Sequence, residues 1–271
     1  MSPQIPEMSQ MAVDRGALAQ LEWRTLLTPA LSGAENMGCD MALMERARAT
    51  GEAVVRVYSW SAPTLSFGRN QKTTGYDRDT LAQKGIAVVR RPTGGRAILH
   101  HREITYSVTA PAEAGGSIAA EYAWINELLL AALRSLGVPA EIAYRSERAP
   151  APDANPCFAT ATPGEITAGG RKLAGSAQYR HDGALLQHGS ILVSDDQSAL
   201  AALAGADPAE PPATLEESLG RSPEPRELHD ALREALAGTG SKPAPLDHDE
   251  LRGEIHKHLQ TFDDPQWTWR R

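Results

Sequence analysis

Cysteine is almost missing from this chain. Of 271 residues only Cys39 and Cys157 carry thiols, too few for a disulfide framework, so both are expected as free thiols in a reducing, cytoplasmic compartment. Long apolar runs are missing as well: nothing approaches the roughly 20 residues that span a bilayer. The opening stretch MSPQIPEMSQMAVDRG lacks a cationic segment followed by an apolar one, so no membrane contact and no secretory leader are expected. Excess positive charge is absent too. With 27 Lys+Arg against 34 Asp+Glu the net charge is -7, which argues against nucleic acid as a partner, because phosphate binding wants a basic surface. There is no HExxH and no paired CxxC, so no metal site is expected. Neither a GxxxxGK[ST] phosphate loop nor a dinucleotide fingerprint occurs, and no cofactor is expected. Aromatics are scarce at 5%, which leaves the core to small and aliphatic side chains.

What is present reads as an ordinary globular chain of one large domain, or one domain with an appendage. Residues 1–20 are expected as a disordered leader. Met37, Met41, Met44 and Ala47 recur at helical spacing and predict a helix over 34–49. AVVRVYSW (53–60) and TLSFGRNQ (64–71) read as strands separated by Pro63. A short helix over 77–85 follows, with an Asp start and a Gly stop. Residues 86–91 and 103–110 read as strands on either side of a Pro-Thr-Gly-Gly turn. Ser117 is placed to cap a long helix that Gly137 ends. A strand is expected over 138–145, and the Pro-rich stretch 146–156 reads as a loop. Asp182-Gly183 between two strand-like runs predicts a tight hairpin. Residues 196–271 read as helices joined at prolines. Strands and helices are mixed without regular βαβ alternation, so the fold class is expected to be α+β, with mixed or antiparallel sheets and flanking helices.

Four features could carry chemistry. Arg90-Arg91-Pro92-Thr93-Gly94-Gly95-Arg96 sets three guanidiniums around a turn whose glycines let backbone amides approach a ligand. The same residues could equally form a plain glycine turn with solvated arginines. Lys172, in GGRKLAGSAQ, has small neighbours; near a thiol it would favour the thiolate, whose unperturbed pKa is about 8.5. Away from one it is a strand lysine facing solvent. Cys157 by itself reads more readily as an inert, half-buried thiol than as a nucleophile, and Cys39 sits on the apolar side of its helix. His188 could be an acid/base or a structural imidazole. His100 and His101 should point to opposite faces of a strand, which disfavours a shared metal.

In this order the pieces resemble the biotin/lipoate protein ligase family. They are RRPTGGRAILH (90–100), EITYSV (103–108), GRKLAGSAQ (170–178) and QHGSIL (187–192), with weaker echoes at Asn36-Met37 through Asp40 and at PTLSFG (63–68). Cys157-Phe158 stands fifteen residues before Lys172, and Arg96 replaces a third glycine. Both features are similar to the octanoyltransferase branch of the LipM type. The resemblance implies a catalytic domain over 21–210 with a helical C-terminal segment, 211–271, packed on it. It implies Cys157 and Lys172 as the catalytic pair, with the acyl slot lined by Gly94, Gly95, His100, Gly175, Ser176, Ala177, His188 and Gly189. Arg90 and Arg91 would meet an acidic carrier protein or position the acyl head. The implied partners are an octanoyl-acyl carrier protein as donor and an apo lipoyl domain, such as the glycine-cleavage H protein, as acceptor. An ATP-dependent lipoate-protein ligase, an amidotransferase acting between lipoyl domains, and a non-catalytic accessory protein remain alternatives. Two departures stand out. His101 replaces the acid that usually follows the motif histidine, and the run between Cys157 and Lys172 contains Ala-Thr-Ala-Thr-Pro-Gly-Glu-Ile where the family tends to aromatic and apolar residues.

Overall fold

The computed structural model describes residues 17–112, 117–143, 162–203 and 210–270. Cys157, the predicted loop over 146–156 and most of the predicted leader lie outside the described residues. The strands are β1 (Trp23–Leu27), β2 (Ala53–Tyr58), β3 (Thr64–Phe67), β4 (Ala87–Arg90), β5 (Ile98–His100), β6 (Glu103–Pro111), β7 (Ala140–Ile142), β8 (Ile166–Ala168), β9 (Arg171–His181), β10 (Ala184–Leu192) and β11 (Ala244–Pro245). The helices are α1 (Gly33–Thr50), α2 (Arg78–Gln83), α3 (Ile118–Ser135), α4 (Gln197–Leu203), α5 (Leu215–Leu219), α6 (Pro225–Gly238), α7 (Arg252–Phe262) and α8 (Pro265–Thr268).

Two sheets organise these elements. The large one runs β11-β1-β2-β6-β10-β9-β8-β7 and the small one β4-β3-β5. Parallel pairing is confined to β1 with β2 and β11 in the large sheet and to β3 with β4 in the small one; the other pairs are antiparallel. This is the α+β class with mixed sheets. The β9–β10 hairpin turns at Asp182 (φ 50°) and Gly183 (φ 73°), the positive φ pair that a two-residue hairpin needs. In register, His188 faces Ala177 and Gly189 faces Ser176.

The large sheet is covered on both faces. On one, Val55, Tyr106 and Leu185 join Ile125, Leu129 and Leu133 of α3 in the main core cluster, which also takes Leu228, Leu232 and Leu236 of α6. Residues beyond 210 therefore complete the central core, and β11 extends the sheet at its edge. On the other face α1 lies between the sheet and α7, with Cys39, Ala42 and Leu43 against Leu251 and Ile255. Burial on two sides explains why α1 is only weakly amphipathic, and why Asn36 and Asp40 are buried in it alongside its methionines. β1 escaped the sequence pattern because it is a five-residue strand whose partner β2 is brought in across the whole of α1. Trp269 packs edge-on to Phe67 of the small sheet at 5.6 Å.

The small sheet meets the large one through the turn after β4. Gly68 is pressed against it so closely that an added Cβ would lie 2.0 Å from the carbonyl oxygen of Gly95. That contact is backbone and cannot yield by a rotamer change. Gly68→Ala is expected to cost about 1–3 kcal/mol through overpacking, read as a lowered denaturation midpoint with an unchanged slope.

Candidate active site

A narrow cleft with about 50 Å³ of free space opens between the β9–β10 hairpin and the turn after β4. Its walls include Arg91, Gly95, Gly175, Ser176, Ala177, His188 and Gly189, and its depths include Met37, Tyr58, Trp60, Ser66, His100 and Thr105. Burial gives the direction: Gly95 is exposed and Ser176 and Ala177 half-buried, whereas Met37, Tyr58, Ser66 and Thr105 are within 2% of full burial. Glycine is required at 189 by space, since a Cβ there would meet Tyr106 at 2.6 Å and Ser176 Oγ at 2.7 Å.

Polar side chains frame the cleft and are tied together. Asp40 of α1 is fully buried; its Oδ1 accepts from Arg56 Nη1 (2.9 Å) and Ser107 Oγ (2.8 Å), and its Oδ2 accepts from His188 Nδ1 (2.9 Å) and Tyr58 Oη (3.3 Å). A carboxylate only accepts, so Nδ1 carries the imidazole proton and Nε2 accepts from Thr93 Oγ1 at 2.7 Å. Thr93 belongs to the glycine turn, so His188 ties that turn to β10 and α1. A second chain runs from Glu103 to His100 Nδ1 (2.6 Å) and from His100 Nε2 to Ser66 Oγ (2.7 Å). Thr105 and Ser190 hydroxyls also donate to Glu103, and Trp60 stacks on His100 at 4.0 Å.

Burial, opposed by the Asp40 carboxylate, holds the His188 imidazole below its ordinary range. Burial would raise Asp40, but its hydrogen bond from His188 and the Arg56 charge outweigh it and hold the carboxyl below the usual range. The pair is an ionised carboxylate beside a neutral imidazole. Burial pushes the Cys39 thiol up to about 11, so this cysteine is a core thiol remote from thiolate chemistry.

Lys172 on β9 is buried at 4% exposure and does not face solvent. Its Nζ donates to Glu165 Oε1 at 2.8 Å, while Glu165 Oε2 accepts from the backbone N–H of Thr162 at 2.7 Å. Glu165 lies close enough to act on Tyr106, which burial pushes up strongly and which the hydrogen bonds from Ser176 and Gln187 oppose. The Tyr106 hydroxyl meets Ser176 Oγ at 2.7 Å, whereas Lys172 and Glu165 are not among the residues that line the cleft.

The structure gathers eight residues picked out from the sequence at the cleft: Arg91, Gly95, His100, Gly175, Ser176, Ala177, His188 and Gly189. Gly94 lies at the exposed tip of the turn, outside the lining. Arg90 and Arg91 are corrections to the expected carrier-protein contact, because both are buried. Arg90 donates to the carbonyls of Gly68, Gln71, Thr268 and Arg270. Arg91 donates to Gly94 O, Arg96 O and Ser66 Oγ and cinches the turn from inside. Asp40, Arg56, Ser66, Glu103 and Glu165 were missed as site-framing residues. A signal existed for Arg56 and Glu103, a charged residue inside or at the head of an apolar strand, where burial demands a partner.

Residues 32–237 match the lipoyl protein ligase A/B catalytic domain. The chain belongs to that family. Among its relatives, the octanoyltransferase LipM of Symbiobacterium thermophilum is 44% identical over 184 residues, covering 65% of this chain and 67% of the relative. The octanoyltransferase LipM of an Exiguobacterium species is 36% identical over 92% of this chain and 98% of its own length. Among solved structures, lipoate-protein ligase A bound with ATP superposes with a TM-score of 0.73 at 21% identity, covering 92% of this chain and 99% of the ligase. A bipartite lipoate protein ligase from Thermoplasma acidophilum superposes at 0.71 and 19% identity, covering 92% and 96%. At those identities the superpositions establish the fold of the lipoyl ligase family.

Asp40→Ala removes the acceptor from a buried guanidinium and is expected to cost about 3–5 kcal/mol of stability in urea denaturation. The acid limb of stability should also bear the mark of His188. Its folded pKa is lowered, so from about pH 6.5 downward the unfolded chain takes up a proton that the folded chain refuses. Stability then falls as pH falls, by at most about 1.4 kcal/mol per unit from this group, until the lowered folded pKa is passed. Asp40 adds its own loss below about pH 4, where the unfolded carboxylate protonates first. A His188→Gln variant should show a flatter profile between pH 7 and 5, measured by denaturation at each pH.

Proposed function

We infer that the protein is an octanoyltransferase that passes an octanoyl group from a thioester donor, through Cys157, to a lysine amine of a lipoyl domain. The observation that carries this reading is the 36% identity to an octanoyltransferase LipM across 92% of this chain and 98% of the relative. The narrow cleft, with an interior of Met37, Ile98 and aromatic rings, suits a medium-length alkyl chain, because such a chain gains from leaving water without needing polar partners. The donor is taken to be an octanoyl-acyl carrier protein and the acceptor an apo lipoyl domain such as the glycine-cleavage H protein.

In this mechanism the Cys157 thiolate attacks the thioester carbonyl, the carbonyl oxygen becomes an oxyanion, and collapse expels the carrier thiol and leaves an octanoyl-cysteine thioester. The acceptor amine then attacks this thioester, gives up a proton, and leaves as an amide while the Cys157 thiolate is released. Exchange of one thioester for another is nearly balanced, and amide formation draws the sequence forward. Lys172 supplies a fixed positive charge where water is excluded, and such a charge stabilises both a thiolate and an oxyanion. At Gly189 the wall is closed by Tyr106 and Ser176, which fill the space a side chain would need.

Intact-mass analysis of the full chain mixed with octanoyl-carrier protein, without ATP, tests the route. An octanoyl adduct should form, vanish in Cys157→Ala, and move to an apo lipoyl domain on addition. Lys172→Met should slow adduct formation by about 100-fold or more. Acceptor acylation that needs ATP and free acid, and is indifferent to Cys157→Ala, would assign the cleft to a ligase.

A further inference from the structure

Burial removes Arg90 and Arg91 from any protein contact, yet what Arg90 holds in place is itself cationic. Its Nη1 takes the carbonyls of Gly68 (2.6 Å) and Gln71 (2.8 Å), and its Nη2 that of Arg270 (2.9 Å). One buried guanidinium thus draws the loop after β3 and the C-terminal tail to the same place. We propose that the cations this clamp presents at the cleft mouth, Arg69 and Lys72 foremost, form the docking surface for the acidic protein that delivers the acyl thioester. The proposal rests on the octanoyltransferase reading and adds to it the surface on which the donor seats.

Position supports this role. Arg69 N–H donates to the carbonyl of Thr93 at 2.7 Å, so the loop lies directly along the turn whose Gly95 forms one lip of the cleft. From there the Arg69 side chain reaches to the opposite lip. Its Nη1 donates to Tyr179 Oη at 2.9 Å, and its guanidinium lies 4.9 Å from that ring. Tyr179 stands two residues beyond Ala177 on β9, and Ala177 is part of the cleft wall. Arg69 therefore spans one side of the mouth, fixed by a phenol and an aromatic face that leave its charge in place. Arg270 donates to the Arg69 carbonyl at 3.1 Å and stacks on Trp267 at 3.5 Å.

Charge supports it too. The chain as a whole carries -7, so cations grouped at the entrance stand against the average surface. Lys72 is exposed and Arg69 half-buried, and the Arg69 guanidinium is engaged by the neutral Tyr179 hydroxyl and ring. The next acid along the chain, Asp77, is turned onto its own helix, accepting from Thr80 N at 2.8 Å. Rim charges of this kind raise association rates and select partners of opposite sign.

Binding of octanoyl-carrier protein to the full chain, followed by fluorescence anisotropy at several salt concentrations, tests the surface independently of turnover. Lys72→Glu and Arg69→Gln are each expected to weaken binding by about fivefold or more at low salt and to reduce its salt dependence. Lys242→Glu, beside the edge strand β11, serves as the control and should leave binding within twofold. In steady-state transfer the same variants should raise KM for the carrier-bound donor far more than KM for octanoyl-pantetheine. Unchanged carrier binding in both variants overturns the docking surface, as does an equal rise in KM for both donors. Weakened binding of the apo lipoyl domain alone would assign the surface to the acceptor and also overturn it. If wild type binds the carrier protein through these cations but transfers nothing, the transferase reading fails and the surface stands.

Discussion

Asp40 is the fixed point of the molecule. One fully buried carboxylate, from the middle of α1, receives Arg56 and Tyr58 from β2, Ser107 from β6 and His188 from β10. A charge taken out of water is expensive, and only a full set of partners makes it tolerable. That demand is what aligns α1 across three neighbouring strands. Met37 lies one turn before Asp40 on the same helix and forms part of the cleft interior, so the depth of the slot follows from the register that the ion pair sets. Arg56 is equally bound to this arrangement, for it also donates to Asn36 Oδ1 at 2.7 Å and lies over the Tyr58 ring at 3.9 Å.

From that point the constraint passes to the entrance. Thr93 hydrogen-bonds the far nitrogen of His188, which binds the glycine turn to the same network. The two arginines before the turn then divide the work. Successive residues at the end of a strand face opposite ways, so Arg91 turns into the cleft wall and gathers the carbonyls of its own turn, while Arg90 turns the other way and gathers the loop after β3 and the tail. Trp267 returns the contact by donating its indole N–H to the Arg90 carbonyl at 2.9 Å. The C-terminal segment is thereby part of the entrance, although it contributes nothing to the cleft lining.

The buried lysine of β9 obeys a similar logic. Lys172 is held in a buried place by Glu165, and Glu165 is held in turn by the backbone of Thr162. An ammonium paired in this way is held in position, because a buried cation without a partner would be costly. The neighbouring group of Tyr106, Ser176, Gln187 and Asn126 is internally hydrogen-bonded, so it shapes the wall without offering an unsatisfied polar group to an alkyl chain.

Much of this was open to reading along the chain, because the signals are local. The helix capped at Ser117, the Asp182-Gly183 hairpin and the α+β class follow from side-chain period, caps and turn residues, none of which needs a distant partner. The motif order placed the chain in its family, and the spacing of β9 and β10 brought Ser176, Ala177, His188 and Gly189 to one place. What the sequence could not show depends on contacts between residues far apart in it. Asp40 and His188 are 148 positions apart and Arg90 and Arg270 are 180, and no local pattern tells whether an arginine will face solvent or a ring of carbonyls. Composition and period determined which elements form and which family they belong to. Only the tertiary structure decided which charges are buried as framework and which are left at the entrance, because burial is settled by packing and by the partners that packing supplies.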